Sequence, residues 1–240
     1  HSRIMQPYVI ALMAIGGFAI YLTIVMVCLY EKGCLVKIHP MNKHKEGQIK
    51  VACIGDSITY GSYHLTKRNY PAVLSKMLGD GYCVNNFGFS GRTAMKDGDM
   101  PYVKDKNYKN SLAFMPDKII IMFGTNDSKP YNWKGTKAFK TNLLEIINAY
   151  KALPTSPEIY LLAPPPVWGL KGKPVKFDID AEVIAKQIRT AVKEICSDYG
   201  YNFIDMYSVF NNKPELFQDG VHPNVAGAKL FAKTIYAKVK

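Results

Sequence analysis

The sequence predicts an α/β domain, a five-stranded parallel sheet covered by helices, preceded by one apolar segment long enough to span a membrane. From Lys50 onward, short apolar runs alternate with amphipathic stretches, the pattern of strands buried on both faces with helices between them. From Tyr8 to Tyr30 no residue is charged, and about 20 apolar residues suffice to cross a ~30 Å hydrocarbon layer. The chain has 240 residues, 48% hydrophobic and 21% charged. That composition suits one main packed core and excludes disorder, collagen-like repeats and coiled coil.

The apolar run YVIALMAIGGFAIYLTIVMVCLY carries a tyrosine at each end, where interfacial anchors sit. A cleaved signal peptide has a shorter apolar core and a small-residue cleavage site, neither of which is present. The run therefore reads as a transmembrane helix or uncleaved signal anchor within residues 1–30, with a buried core helix as the alternative. Only Arg3 precedes it, whereas Lys32, Lys37, Lys43 and Lys45 follow. Counted alone, these charges put the following domain in the cytoplasm, and on the residues both orientations stay open. The expected localisation is membrane-anchored with an extracytoplasmic catalytic domain. Residues 31–48, polar with Pro40 and several lysines, read as a tether, and the α/β domain occupies residues 49–240.

Within that domain strands are expected near Val51–Ile54, Tyr82–Phe87, Lys118–Phe123, Glu158–Ala163 and Asn202–Ile204. Helices are expected over Tyr70–Leu78, Thr136–Ala152, Ala181–Tyr199 and Val225–Val239, each with an apolar stripe that reads as core packing. Pro164, Pro165 and Pro166 must end the fourth strand and stiffen the loop after it.

The balance of 31 Lys+Arg against 19 Asp+Glu gives a formal net charge of +12. The lysines are spread without runs and without a basic stripe of interleaved aromatics, so they read as a solvated surface and no nucleic-acid partner is expected. Five cysteines at irregular spacing form neither a zinc signature nor a disulfide framework. Cys53 and Cys83 fall in predicted core strands, where a thiol behaves as a small hydrophobe. Pairing and redox compartment stay open.

Ligands of an open α/β sheet gather at the carboxyl ends of its strands. There the first strand runs into Gly55-Asp56-Ser57-Ile58-Thr59, the second into Gly88-Phe89-Ser90-Gly91-Arg92 and the third into Gly124-Thr125-Asn126-Asp127. Asp219-Gly220-Val221-His222-Pro223-Asn224 precedes the last helix. A serine hydroxyl is a weak nucleophile until a histidine takes its proton. Of the five histidines, only His222 has an acid three residues before it, and Asp219 can hold the imidazole in the required tautomer. The N–H of Ser57, the N–H of Gly91 and the amide of Asn126 are candidate donors to a developing oxyanion. Singly, each of these residues could be an ordinary turn or cap residue.

IGDSITYG, NFGFSGRT, GTNDS and DGVHPN, in that order, resemble the four signature blocks of the SGNH hydrolases, also called the GDSL esterase/lipase family. The resemblance spans Val51 to the carboxyl terminus. It implies a three-layer α/β/α sandwich of flavodoxin-like type, Ser57 as nucleophile, Gly91 and Asn126 with Ser57 as oxyanion hole, and Asp219 and His222 completing the triad. No Gly-x-Ser-x-Gly elbow is present, which disfavours the ordinary α/β-hydrolase. GDSIT followed by Tyr-Gly, with GTNDSKP and nearby Asn132-Trp133, looks most like bacterial esterases that remove acetyl groups from carbohydrates. Asp56, Lys129 and Trp133 are candidate substrate contacts, Trp133 as a platform for a sugar ring and Lys129 with Tyr131 at the pocket rim. Trp133 could equally pack a loop.

The expectation is thus a membrane-anchored serine esterase that removes short acyl groups from a glycan or small-molecule ester through an acyl-enzyme, with no metal or cofactor. A lysophospholipase or thioesterase acting on lipid acyl chains is the second enzyme reading. A non-catalytic glycan-binding protein on the same fold is the reading from another class.

Overall fold

The computed structural model describes residues 15–23, 41–62 and 68–240. The chain divides into two units, His1–Ile38 and His39–Lys240. In the first, residues 15–23 are helical, and Ile15, Phe18, Ile20 and Tyr21 are exposed. Among the described residues no helix is long and apolar enough to cross a membrane. The remainder of the expected span, residues 8–14 and 24–30, lies outside the described residues, as do residues 31–40 of the expected tether.

The end of that tether is not free. The backbone N–H of Asn42 donates to Asn85 Oδ1 and its side-chain amide to the carbonyl of Val84, both at 2.7 Å. The sheet begins at Ile49, with five strands: β1 (Ile49–Gly55), β2 (Tyr82–Asn86), β3 (Lys118–Met122), β4 (Glu158–Ala163) and β5 (Asn202–Asp205). All pair in parallel, in the spatial order β2-β1-β3-β4-β5.

Helices α1 (Ser57–Tyr60), α2 (Tyr70–Leu78), α3 (Lys106–Ala113), α4 (Thr136–Lys151), α5 (Arg189–Tyr199), α6 (Met206–Phe210) and α7 (Val225–Val239) fill the connections. One π-helical stretch, Val183–Ile188, leads into α5. The period-two alternation of the strands sorts their side chains into two cores. Ala52, Ile54, Ile119, Ile121, Ile159 and Leu161 pack with Phe139, Leu143 and Ile147 of α4 and Val192 and Ile195 of α5. Val51, Cys53, Ile120, Met122, Tyr160 and Leu162 pack with Leu74 of α2 and Phe231 and Ile235 of α7. Two helical layers therefore enclose the sheet, as expected of an α/β/α sandwich.

This order positions the site. From β1 the chain moves to β2 on one side, then crosses to β3 on the other, so the direction of winding reverses between β1 and β3. Such a reversal opens a crevice at the carboxyl ends of the two strands. The loops after β1, β2 and β3 stand side by side at that edge, with the β1 loop in the middle.

Candidate active site

Ser57 is the first residue of α1, directly after β1. Asp56 caps this short helix, accepting from the N–H of Ile58 at 2.9 Å. The cap ends the strand and starts the helix within one residue. It leaves the N–H of Ser57 among those with no intrahelical acceptor.

Gly91 lies in the turn after β2 at φ +78°, a conformation glycine adopts at no steric cost. Several contacts fix this turn against the β1 loop. Phe89 N–H donates to Gly55 O (3.0 Å), Asn86 Nδ2 donates to Thr59 O (2.8 Å), and the hydroxyls of Ser62 and Ser90 lie 2.9 Å apart. On its other side, Arg92 Nε and Nη2 both donate to Asp105 Oδ2, at 2.7 and 2.5 Å, and the guanidinium stacks 4.7 Å over the Phe89 ring.

Asn126, after β3, is buried, and its amide reaches Arg92 O at 3.3 Å and Asp56 Oδ2 at 3.4 Å. Those long bonds aim the amide across the β1 and β2 loops. Asn132 holds the loop from behind, donating to Asn126 O at 2.9 Å and Asp99 Oδ1 at 2.8 Å.

His222 and Asp219 come from the segment between α6 and α7. Phe217 and Pro223 form an antiparallel bridge, and Gln218 N–H donates to His222 O at 2.9 Å, closing the loop that carries both residues. Gly220 at its tip has φ +86°, and a Cβ there would strike the carbonyl of Trp168. His222 Nε2 lies 2.8 Å from Ser57 Oγ, and Nδ1 lies 2.8 Å from Asp219 Oδ2.

Asp219 Oδ1 accepts from the N–H groups of Val221 (3.0 Å) and His222 (2.8 Å). Burial pushes this carboxyl up, but the His222 ring bond, the charge of His222 and the two backbone bonds outweigh it and hold it at about 2. An ionised Asp219 can only accept, so the ring proton belongs on Nδ1 and Nε2 is left to accept from the serine hydroxyl. Ser57, His222 and Asp219 are thereby lined up as nucleophile, base and orienting acid.

The candidate substrate contacts Asp56, Lys129 and Trp133 lie in the loops after β1 and β3. Asp56 is 1% exposed and its oxygens are engaged by Ile58 and Asn126, so it is a cap and a support. Burial lifts its carboxyl to about 6, against the N–H of Ile58 and the charges of His222 and Lys129. The ring of Trp133 packs on the core 5.8 Å from Phe139, which is the loop-packing alternative. Lys129 is buried, with its ammonium 5.9 Å from the Tyr131 ring, which is exposed.

Three features had no part in the reading of the residues. The Arg92–Asp105 latch joins a block residue to a partner outside every block. Asp127 Oδ1 accepts from Met95 N–H at 2.8 Å while Oδ2 has no hydrogen-bond partner, and burial lifts the carboxyl to about 7. Phe177 stands 5.7 Å from the His222 ring. Asp127 and Arg92 carried a signal, as the neighbours of Asn126 in GTNDS and of Gly91 in NFGFSGRT; Asp105 and Phe177 carried none. Among the described residues no group of three or more His, Cys, Asp or Glu could hold a metal ion.

Residues 53–230 match the model of the GDSL-like Lipase/Acylhydrolase family. An acetylxylan esterase of Xylanibacter ruminicola is 39% identical over 216 residues, which cover 82% of this chain and 44% of that protein. A multidomain esterase of Ruminococcus flavefaciens is 25% identical over 231 residues, covering 78% of this chain and 28% of that protein. The chain thus spans less than half the length of both. Among solved structures, a carbohydrate acetylesterase family member from Sinorhizobium meliloti superposes with TM-score 0.64 at 23% identity, covering 80% of this chain and 97% of that one. The M. smegmatis aryl esterase does so with TM-score 0.65 at 20% identity, covering 80% and 98%. At these identities the two structures speak for the fold.

Proposed function

The chain belongs to the GDSL-like lipase/acylhydrolase family of ester hydrolases, and on that premise we propose that it removes short acyl groups, acetyl foremost, from a carbohydrate. The observation that carries the mechanism is the relay at 2.8 Å on both sides of the His222 ring. His222 Nε2 takes the Ser57 proton as Oγ attacks the ester carbonyl. The oxyanion is held by the N–H groups of Ser57 and Gly91 and the amide of Asn126. Collapse breaks the bond to the alcohol oxygen, which receives the proton from His222 and leaves. Water, deprotonated by the same nitrogen, attacks the acyl-enzyme; the acid departs and Ser57 regains its proton.

Support for an acetylated glycan comes from the acetylxylan esterase relative, aligned over 82% of this chain. The test is hydrolysis of p-nitrophenyl esters from acetyl to long-chain acyl by the full chain, with Ser57→Ala as control, followed by acetylated xylan. A steep fall beyond acetyl, abolished by Ser57→Ala, is the expected result. A preference for long chains would replace this reading with a lysophospholipase or thioesterase. No serine-dependent turnover, with no labelling of Ser57 by a fluorophosphonate, would leave a binding protein.

We further propose that residues 8–30 anchor the protein in a membrane with residues 49–240 outside the cytoplasm. The support is a charge-free run whose described part is helical with exposed apolar side chains. An apolar helix with no polar face is suited to lipid. Sedimentation with membranes after alkaline extraction, and cleavage by protease added to intact spheroplasts, are the expected outcomes. Recovery in the soluble fraction would refute the anchor, and protection from the protease would reverse the orientation.

A further inference from the structure

Phe177 belongs to the loop between β4 and the π-helical stretch, and both ends of that loop are fastened to the catalytic centre. At one end Trp168 N–H donates to Gly220 O at 3.0 Å, beside Asp219, and the Trp168 ring lies 4.9 Å from Phe217. At the other end Asp180 N–H donates to Ser128 Oγ at 3.1 Å, two residues after Asn126. The loop therefore runs from the triad segment to the oxyanion segment.

Between these fastenings Phe177 and Asp178 occupy left-handed backbone in succession, with φ +64° and +57°. That region is disfavoured for a bulky aromatic residue and persists where the surroundings impose it, often at functional sites. Burial does not explain the arrangement, because Phe177 is 46% exposed. Its ring meets the His222 imidazole edge-on, with centroids 5.7 Å apart and planes at 74°. A large apolar surface is thus held open to solvent directly beside the catalytic base.

We propose that the Phe177 ring is the platform for the alcohol half of the ester, a sugar ring, and does not line the acyl pocket. The inference rests on the esterase reading above. In that reaction His222 Nε2 protonates the leaving oxygen, so this oxygen lies within hydrogen-bond reach of the imidazole. The carbons attached to it must then lie against whatever flanks the ring. The acyl carbon and its oxyanion lie instead toward Ser57, Gly91 and Asn126. An exposed aromatic ring offers the C–H face of a pyranose an apolar surface without burying its hydroxyls.

The test uses the full chain with Phe177→Ala and Phe177→Trp, three acetyl esters (a sugar acetate, ethyl acetate and p-nitrophenyl acetate), and the p-nitrophenyl acyl-length series. All acetates pass through the same acetyl-enzyme, so deacylation is blind to the alcohol. For Phe177→Ala the expected result is a loss of about 10- to 100-fold in kcat/KM for the sugar acetate, the scale of lost apolar contact at a specificity site. Ethyl acetate is expected to change less than about 3-fold, with deacylation and acyl-length preference kept and the sugar-acetate rate restored by Phe177→Trp.

An equal loss with all three acetates would make Phe177 a support for His222 and overturn the proposal, as would a shift in acyl-length preference. If Phe177→Ala does not fold, Phe177→Leu carries the same comparison. Absence of Ser57-dependent turnover in the unsubstituted chain would refute the esterase reading itself and is seen before any variant is made.

Discussion

At the carboxyl edge of the sheet Ser57, Gly91 and Asn126 stand at the ends of three adjacent strands, in loops bonded to one another. Beside them, the loop from Pro164 to Asp180 holds two pairs of consecutive residues at positive φ and an exposed aromatic ring. The first region inherits its geometry from the sheet register, which a single substitution on the surface cannot shift. The second is held by a few contacts, Trp168 to Gly220 and Asp180 to Ser128 among them. The difference assigns bond-making to the rigid edge and choice of alcohol to the loop. Variants of the edge should therefore lower turnover for every ester, and variants of the loop should sort one ester from another.

The largest effects are expected at the triad. Ser57→Ala and His222→Ala should each lower kcat on the order of 10⁵- to 10⁶-fold, and Asp219→Asn roughly 10⁴-fold. An amide at 219 would accept from Nδ1 no better than a carboxylate, lose the charge that favours imidazolium, and permit the wrong tautomer. Single-turnover measurements with p-nitrophenyl acetate check all three. A loss under about 10-fold in Ser57→Ala would place the nucleophile elsewhere.

Next comes Asn126→Ala, which should reduce kcat by about 10²- to 10³-fold with KM little changed, since an oxyanion donor acts on the transition state. The reduction should be uniform across alcohols and acyl lengths. A loss confined to one ester would mean that Asn126 contacts substrate, and the contrast between edge and loop would fail.

The strand assignments were legible because the five runs are apolar on alternate residues for both cores, and β4, α2 and α7 begin and end where their periodicity and punctuation place them. Helix α3 was not legible, because KNYKNSLA is short and mostly polar: only Tyr108 and Leu112 rest on the core, and its start is fixed by the Asp105 cap, which Arg92 pairs with. The candidate triad and oxyanion residues stood out because Ser57, Gly91 and Asn126 follow three strands in short polar blocks and Asp219 and His222 share one block before the last helix, and the structure brings His222 within hydrogen-bond reach of both Ser57 and Asp219. The status of Asp56 and Trp133 could not, since residue type alone does not say whether a carboxylate is spent on a cap or a ring on a core. Phe177 left no trace in the sequence either, because its position depends on left-handed backbone that nothing at that residue favours.

The buried carboxylates of the edge give it a pH signature. Asp56 and Asp127 have folded values of about 6 and 7, above the unfolded value near 3.9. From about pH 4 to pH 7 the unfolded chain releases these protons while the folded one retains them, so stability should fall as pH rises. Asp219, at about 2, works in the opposite sense: its contribution is present above pH 4 and is lost as pH falls toward 2. Together they place the stability maximum due to these groups near pH 4. Denaturant unfolding from pH 4 to 8 should show the decline, and Asp127→Asn should flatten it by a few kcal/mol at most. An unchanged slope in Asp127→Asn would mean that its carboxyl is already ionised at pH 4.

The smallest expected effect lies in the loop and separates its shape from its chemistry. Lys171 and Gly172, at φ +54° and +71°, are the central pair of a turn closed by Lys173 N–H to Leu170 O at 3.1 Å. Two positive φ values in succession favour Asn-Gly, so Lys171→Asn should raise stability by about 0.5 kcal/mol. The turn lies between the Trp168 fastening and Phe177, and the substitution touches neither. Discrimination between sugar and ethyl acetates should therefore be retained in Lys171→Asn while it is lost in Phe177→Ala. If stiffening the turn alone abolished the discrimination, alcohol choice would depend on motion of the whole loop and not on the ring it presents to His222.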